Sequence, residues 1–518
     1  MNDTLEAKTR PSLTRLAVVG ALAPYLLLQL VSAWRAGWVF EYPLDDVYIH
    51  LAMASEIARG GYGVNAGEAA SAASSPLYPF LLAAFPESAL QRVLPLIWNV
   101  LALLIGAGLF AAILRAAGGR GALVSAVALL VPAAYGTHAA AFSGMEHSLH
   151  GAASLLIIYG LVRLFTDGRV TPWLFLGILA APLLRFEGVA LSLMAAFALF
   201  LVARRGWAAL ALVLAFIPLA GFMAFLVSLG LDPLPSSVSA KLGTLDGPDL
   251  SRLERSLRRF GSNLSQPNGI ALASIPMAAL ILRTLDHKLA ASRRGILVWV
   301  LVGAGGAHLV FGQIGWMERY EHYALYALGA GLIALALGAS RPGLALAVSL
   351  APAALSGATY ARESVTEYFW NPRAIHLQQG QMARFAQDFA GTNVAINDLG
   401  RVVWGNPNYV LDLWGLANSE ARRIRLSAPD NGWAGPLATE YDVGLAMIYE
   451  SWLGEAVPDG WIRLGQLHIS PARGFLGGAE VDFYATRPEE VTPLVESLRA
   501  FASTLPEGAR FAFEPGIE

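Results

Sequence analysis

Long apolar stretches with few charges recur through the first 360 residues of this chain, and they constrain its fold more than any other feature. A helix that crosses a bilayer needs about 20 consecutive apolar residues. Over the whole chain 55% of the residues are hydrophobic and only 14% are charged, whereas soluble domains carry about 25% charged residues. The sequence therefore predicts a polytopic α-helical membrane protein with eleven spans, near 14–34, 92–114, 121–140, 147–165, 171–184, 187–203, 207–229, 269–284, 295–313, 321–338 and 342–360.

The loops between these stretches alternate in charge. One set is rich in arginine, and the positive-inside rule places that set in the cytoplasm. The first long loop, residues 35–91, then lies on the outer side, together with everything after residue 361. Within this loop the residues from Val47 to Arg59 have the apolar spacing of a helix that Gly60 ends.

Composition also excludes several kinds of chemistry. The chain has no cysteine, which removes disulfides, thiol nucleophiles and cysteine-ligated zinc together. Its 38 acidic and 36 basic residues nearly cancel, so its charge gives no sign of a nucleic-acid partner.

The composition changes near residue 362, which divides the chain into a predicted membrane domain, 1–361, and a soluble α/β domain, 362–518. In the second domain helical and strand-like segments alternate, as they do in α/β folds. The expected helices lie near 375–390 and 488–504, and the expected strands are Asn393–Asn397, Tyr409–Leu413, Val443–Tyr449 and a run near Val481–Ala485.

Two adjacent carboxylates, Asp45 and Asp46, follow the first apolar stretch, with Tyr48 and His50 close behind. Charge is expensive near a bilayer, so ionisable residues at the rim of a membrane bundle indicate a functional site. Burial and a like-charged neighbour both raise a carboxyl pKa, which suits a base that accepts a hydroxyl proton. The alternative is a pair that caps a helix, since aspartate favours that position.

Glu146, His147 and His150 cluster at the start of another apolar stretch. Histidine and glutamate can coordinate a metal, and His147 and His150 share one face of a helix. Three interpretations stay open for this cluster: a divalent cation site, hydrogen bonding to a substrate, and packing at a helix end.

Three cations on the same predicted side, Arg185, Lys241 and Arg319, could hold a phosphate through charge-assisted hydrogen bonds. Each also has a structural alternative. The first can pair with Glu187, the second can extend to the membrane interface, and the third can pair with Glu318 or Glu321.

In the soluble region, Asp398 and Asp412 lie in Val394–Gly400 and Val410–Leu416, two runs that each look like the end of a strand followed by a turn. Aspartate at such a position commonly caps the next helix, and we expect that role for both, with a role in a functional site as the alternative.

Taken together, these motifs resemble those of the GT-C superfamily of membrane glycosyltransferases, and most of all the terminal arabinofuranosyltransferases of mycobacterial cell walls and their relatives in other bacteria. The resemblance follows the chain in order. It is carried by Leu44-Asp-Asp-Val-Tyr-Ile-His50, Gly60-Gly-Tyr-Gly63, Ser74-Ser-Pro-Leu-Tyr78, Ser143-Gly-Met-Glu146, Arg185-Phe-Glu-Gly188, Leu234-Pro-Ser-Ser237 with Lys241, Arg319-Tyr320, Asn397-Asp-Leu-Gly400 and Leu411-Asp-Leu-Trp-Gly-Leu416.

The resemblance implies an inverting transfer of a sugar from a polyprenyl-phosphate donor to a glycan or lipid acceptor, at the periplasmic face of a bacterial inner membrane. It implies Asp45 as the base and Asp46 as a residue that orients the sugar or the acceptor. It implies phosphate contacts from Lys241, Arg319 and Arg185. The residues it implies around the sugar or acceptor are His50, Tyr48, Glu146, His147, Glu318 and His322.

A transporter or flippase for a lipid-linked sugar is the main alternative. It would also need polar groups at the outer rim, but it predicts charged residues deep within the spans. The sequence offers few of these.

Overall fold

The computed structural model describes residues 12–243, 251–427 and 429–517, without the side chains of 240–243 and 252. The chain forms two compact units. The helical unit takes in the described residues of 1–29, 96–221 and 249–365, and the mixed unit takes in those of 30–95, 222–248 and 366–518.

Seven helices in the described part of the chain are long and apolar enough to cross a membrane: Leu13–Arg35, Ala89–Ala116, His147–Asp167, Arg205–Ser228, Pro267–Leu285, Arg293–Phe311 and Pro342–Asp388. Four shorter apolar helices are Ala122–Ala134, Pro172–Leu184, Gly188–Leu201 and His322–Leu337. Together they occur at the eleven stretches expected from sequence. The fold is that of a mostly helical chain consistent with a multi-pass membrane protein, and the eleven-span count and its orientation stay predictions.

The long segment that begins at Pro342 consists of Pro342–Ser349, Ala351–Glu363, the π-helical turn Ser364–Tyr368, Asn371–Leu377 and Gln379–Asp388. The remaining α-helices are short: Asp46–Ala58, Tyr78–Leu81, Thr137–Phe142, Ser236–Gly243, Arg252–Leu264, His287–Ala291, Gly400–Val403, Ser419–Leu426, Ala434–Glu440, Glu450–Leu453 and Val491–Ala502.

The helix expected in the first loop is confirmed as Asp46–Ala58. It begins with an acidic residue, which suits the positive end of the helix dipole. It ends before Gly60, whose φ of 89° lies in the left-handed region that glycine adopts without strain.

In the helical unit, helix His147–Asp167 packs against Pro172–Leu184 and His322–Leu337. Glycines allow the first of these contacts. A Cβ on Gly177 would lie 2.7 Å from the Ala153 carbonyl oxygen, and a Cβ on Gly160 would lie 2.5 Å from the Leu174 Cβ. Small residues let membrane helices approach in this way. The close packing fixes the helix ends that carry the buried charges described below.

The mixed unit contains a six-stranded sheet in the order β2-β1-β3-β5-β4-β6. The first three strands are parallel, with β1 between β2 and β3, and the other pairings are antiparallel. Four strands confirm the sequence expectation, and the sequence did not indicate β4 or β6. The strands are β1 Asn393–Ile396, β2 Val410–Asp412, β3 Val443–Ile448, β4 Ile462–Ile469, β5 Glu480–Ala485 and β6 Ala509–Phe513.

Aromatic side chains fill the space between this sheet and the helices that cover it. Phe385 packs against Phe483 of β5 and Phe501 of helix Val491–Ala502, with ring centroids 5.7 and 5.0 Å apart. Phe385 is fully buried, whereas Phe389 beside it is half-buried. The ring of Phe385 therefore ties two helices to the sheet.

Replacing Phe385 with alanine should lower the free energy of unfolding by about 3–5 kcal/mol, because it removes a fully buried ring and leaves a cavity. The thermal unfolding midpoint of the detergent-solubilised protein measures this. Phe389→Ala is the matched control and should cost clearly less. Equal shifts for the two variants would contradict the packing described here.

Candidate functional site

Asp45 lies in the mixed unit and is only 6% exposed. Its carboxylate accepts hydrogen bonds from the backbone N–H groups of Gly400, at 2.5 Å, and Arg401, at 2.7 Å. It makes no such bond to its own helix, Asp46–Ala58. Asp45 thus binds the first turn of helix Gly400–Val403, which is 355 residues away in sequence.

Gly400 is required at this contact by space. A Cβ at this position would lie 2.0 Å from the Asp45 carbonyl oxygen and 2.8 Å from its Oδ2 atom. Real Cβ atoms do not approach backbone atoms this closely. The glycine of the Asn397-Asp-Leu-Gly400 run therefore lets the two segments meet.

Asp398 does not cap the helix that follows it, so the expectation for this residue was wrong. The residue at the cap position is Leu399, and it makes no side-chain bond there. Instead, Asp398 Oδ2 accepts from Gln379 Nε2 at 2.6 Å and from the Tyr449 hydroxyl at 3.4 Å. Asp398 also forms a hydrogen bond with Asp45. Two acidic side chains thus meet at the end of β1.

Asp412 orders the turn after β2 by accepting from the backbone N–H groups of Trp414, Leu416 and Ala417, at 2.9, 2.6 and 2.7 Å. The next helix is capped by Asn418 instead. The expected capping role was therefore wrong for Asp412 too, although its carboxylate does bind backbone donors.

The environment of the acidic cluster favours protonation. Burial, followed by the charge of Asp398, raises the pKa of Asp45 well above its usual range, and Asp46 adds to this, against the two backbone donors. Burial is also the largest cause that raises the pKa of Asp398 to about 6, with Asp46 contributing and Gln379 opposing. Asp45, Asp46 and Asp398 therefore form a cluster that holds a proton more readily than ordinary carboxylates do.

Tyr48 and His50 extend from the same helix as Asp46. The fully buried Tyr48 donates to Glu41, whose carboxylate also lies 2.8 Å from Arg92. His50 Nε2 lies 3.3 Å from the Ser74 hydroxyl. Their predicted contacts with a sugar or acceptor stay predictions.

Lys241 lies in helix Ser236–Gly243, and its side chain is outside the described residues. Its predicted contact with phosphate therefore stays a prediction.

The helical unit contains a second buried polar cluster around Arg185. Its guanidinium lies 2.8 Å from Glu146 and 2.7 Å from Glu187, and its Nη1 atom lies 3.0 Å from His147 Nε2. The ring of Tyr320 lies 5.4 Å from the guanidinium carbon. The Glu187 pairing is the structural alternative considered for Arg185, and its contact with phosphate stays a prediction.

The surroundings of Glu187 favour its charged form. Burial would raise its pKa, but the Arg185 guanidinium outweighs this and holds the pKa of Glu187 well below its usual range. Arg185 thus neutralises a carboxylate that would be costly to leave unpaired.

A third group of polar residues joins the loop between helices Arg293–Phe311 and His322–Leu337 to the start of helix Pro267–Leu285. Asn268 donates to Glu318 at 2.7 Å and to Glu321 at 2.9 Å. Arg319 is 2% exposed and donates to the Tyr320 hydroxyl at 3.3 Å. Burial, and then Glu318, raise the pKa of Glu321 well above its usual range.

The backbone here is unusual, because residues 316–318 all have positive φ, at 50°, 63° and 48°. Each non-glycine residue in this region costs roughly 1–2 kcal/mol. Strain of this kind persists where the surrounding contacts over-determine it, often at functional sites. Tyr360 contributes such a contact by donating to the Glu318 carbonyl at 2.6 Å.

The remaining predicted histidines have separate partners. His322 Nδ1 lies 2.9 Å from the Tyr135 carbonyl oxygen, and His150 stacks on Tyr323 with ring centroids 4.1 Å apart. Within the described ranges there is no group of three or more His, Asp or Glu side chains that could hold a metal ion. Arg185 lies against Glu146 and His147, where its positive charge opposes a cation.

The mixed unit also contains an open polar cavity of about 220 Å³. It lies near the C-terminal end of helix Asp46–Ala58, away from the acidic cluster. Arg59 bridges Glu56, at 2.8 Å, and Glu87, at 2.5 Å, along its wall. Asn408 and Tyr409 line it from the loop before β2.

Sequence reasoning missed the part of the acidic cluster that comes from the C-terminal sheet. Gln379 and Tyr449 carry no local pattern that marks them. Asp398 had one available signal, its place directly after a buried strand. A crevice outside the carboxyl ends of parallel strands is the usual ligand site of an open α/β sheet.

Comparison with known proteins gives one match. A family model described as a domain of unknown function, DUF8728, matches residues 370–484. The matched segment contains β1 to β4, most of β5, and Asp398 with Gly400. No curated protein matches the chain, and no solved structure does.

Gly400→Ala should lower the free energy of unfolding by about 1–3 kcal/mol or more, since the added methyl group has no room against Asp45. Gly460→Ala is a matched control, because a Cβ there meets nothing within 4 Å. Thermal unfolding of both variants measures the effect. A Gly400→Ala protein as stable as the control would rule out the close approach.

Arg185→Ala should lower the free energy of unfolding by about 3–5 kcal/mol, because it leaves Glu146 buried without its cation. Arg163→Ala removes a more exposed pair with Asp167 and should cost less than about 0.5 kcal/mol. The two unfolding midpoints, measured side by side, separate a buried network from a surface pair. Similar midpoints would argue against a buried network.

Proposed function

We propose that this chain is an inverting glycosyltransferase. It moves a sugar, such as arabinofuranose or another pentose or hexose, from a polyprenyl-phosphate donor to a cell-envelope glycan or lipid acceptor at the outer face of the membrane. The observation that carries the proposal is the acidic cluster in which the buried Asp45 lies with the half-buried Asp46 and Asp398. Raised carboxyl pKa values suit a base that works near neutral pH.

In this reaction the acceptor hydroxyl gives its proton to a carboxylate of the cluster. The acceptor oxygen then forms a bond to the anomeric carbon from the face opposite the phosphate. The bond between that carbon and the phosphate oxygen breaks, and its electron pair leaves with the polyprenyl phosphate. We assign the base role to Asp45 and an orienting role to Asp46.

The leaving phosphate needs no general acid, but it gains charge that cations must stabilise. We assign this role to Lys241, Arg319 and Arg185. Arginine suits it because its donors match two phosphate oxygens at once. We assign contacts with the sugar or acceptor to Tyr48, His50, Glu146, His147, Glu318 and His322.

The apolar helices support a lipid-linked donor. A polyprenyl chain partitions into the bilayer, at roughly 0.8 kcal/mol for each buried CH₂ group. A donor of this kind would reach the protein from the membrane, so only its sugar and phosphate need polar contacts.

The direct test incubates the purified protein with radiolabelled polyprenyl-phosphate pentoses and hexoses and an envelope acceptor extract, with and without a chelator. We expect label to move to the acceptor with inversion at the anomeric carbon. Asp45→Asn should slow this transfer by about 10²–10⁴-fold, because general-base help is lost. Unfolding midpoints correct for any loss of folded protein.

Asp459→Asn is the control, since Asp459 is exposed and is assigned no role in the reaction. Its transfer rate should equal that of the unmodified protein. No donor consumption with any carrier would overturn the proposal, and movement of intact donor between vesicle leaflets would favour a flippase instead. A chelator effect would identify a required cation.

A further inference from the structure

The strand order of the mixed unit reverses direction at β1, which makes the carboxyl end of β1 a candidate ligand site. β1 lies between its parallel neighbours β2 and β3, so the chain leaves β1 toward one side and later returns on the other. Such a reversal opens a crevice at the carboxyl end of the central strand, where open α/β sheets bind ligands. Asn397 and Asp398 are the residues that follow β1.

Unsatisfied buried polar atoms lie beside this point. Gln379 is fully buried, and its Oε1 atom has no hydrogen-bond partner among the described residues, although its Nε2 atom donates to Asp398. Asn397 is 5% exposed, and its Nδ2 atom also has no hydrogen-bond partner among the described residues. Native proteins rarely leave such atoms unmatched. An unmatched acceptor and an unmatched donor near the end of β1 suit a hydroxyl group, which both donates and accepts.

The side chains of Asp398 and Asp45 form a hydrogen bond with each other, and separate donors hold each of them in place. The helix start at Gly400 and Arg401 fixes the Asp45 carboxylate, and Gln379 fixes Asp398 from the other side. Two adjacent carboxyl groups in a buried site do not both ionise readily, so they share a proton and titrate as a pair.

We infer that Asp398, contributed by the C-terminal sheet, shares one proton with Asp45 and thereby sets the ionisation of the base in the proposed transfer. The inference rests on the proposed function and deepens it, by making Asp398 a positioning residue that acts through Asp45. The pair accepts the acceptor's hydroxyl proton, while the electron pair of the broken O–H bond forms the glycosidic bond. After the carrier leaves, the pair returns its proton to water.

The groups that face the pair come from several elements. Asp46 on helix Asp46–Ala58 adds a further negative charge, and the hydroxyl of Tyr449, the residue after β3, faces Asp398. Arg401 offers Asp45 its backbone N–H, while its guanidinium lies 3.7 Å from Glu41. The cluster is thus dominated by negative charge, which keeps a proton on the pair.

This predicts an acid limb in the pH profile of kcat/KM. Because the pKa of Asp398 is about 6, the carboxylate is ionised above that pH and protonated below it. Activity should therefore fall as the pH decreases through about 6, when the pair becomes fully protonated and can accept nothing.

Two variants should move this limb in opposite directions. Asp398→Asn removes the like charge beside Asp45, so the limb should shift by about one pH unit or more toward lower pH, with a reduced kcat. Gln379→Leu removes a donor to the Asp398 carboxylate, so the limb should shift toward higher pH. Asp398→Glu should restore a limb near that of the unmodified protein.

Asp412→Asn is the structural control. Asp412 is buried and ends β2 in the same sheet, but its partners are the backbone groups of its own turn. This variant should lower stability and leave the acid limb in place. Active Asp398→Asn and Gln379→Leu proteins with an unshifted limb would overturn the inference.

A second measurement needs no turnover. Infrared titration of the protonated carboxyl band should show a group that titrates near pH 6 in the unmodified protein and is lost or shifted in Asp398→Asn and Gln379→Leu. If no donor is consumed but this band behaves as expected, the proposed function fails and the shared proton stands. If donor is consumed but the band is unchanged in both variants, the inference about Asp398 fails alone.

Discussion

The mixed unit depends on the hydrogen bonds that the Asp45 carboxylate accepts from the backbone of Gly400 and Arg401. A buried carboxylate without donors is costly, and charge-assisted bonds to backbone N–H groups are among the strongest available. This contact joins the acidic motif of the first loop to the first turn after β1. It brings together two segments that are far apart in sequence, and it defines where the acidic cluster forms.

Burial and mutual repulsion disfavour the ionised forms of the carboxyl groups in the acidic cluster. Three carboxyl groups, on Asp45, Asp46 and Asp398, lie together, and burial raises the pKa values of Asp45 and Asp398. The surrounding donors offset only part of this cost. The helical unit solves a similar problem differently, because Arg185 neutralises the carboxylates of Glu146 and Glu187. The acidic cluster therefore favours a protonated carboxyl group, whereas the Arg185 cluster favours ionised carboxylates in ion pairs.

Much of the fold could be predicted from local pattern. The apolar stretches, helix Asp46–Ala58 and four of the strands are each encoded by residues close together in sequence. β4 and β6 could not be predicted, because the apolar alternation of β4 changes phase at Gly465 and Gln466 and β6 is an edge strand with no fully buried residue. Their strand conformation depends on pairing within the sheet, which local propensity does not report.

By itself the sequence determined the membrane-like composition, the absence of cysteine chemistry, and the presence of an acidic pair after the first apolar stretch, because these are properties of residues and their near neighbours. Only the tertiary structure decided which side chains and backbone groups contact Asp45 and Asp46. Asp398 and Asp412 both lie at the end of a strand and look alike in sequence, yet Asp398 forms a hydrogen bond with Asp45 while Asp412 binds its own turn. The difference arises because the partners of a buried carboxylate depend on the path of the whole chain.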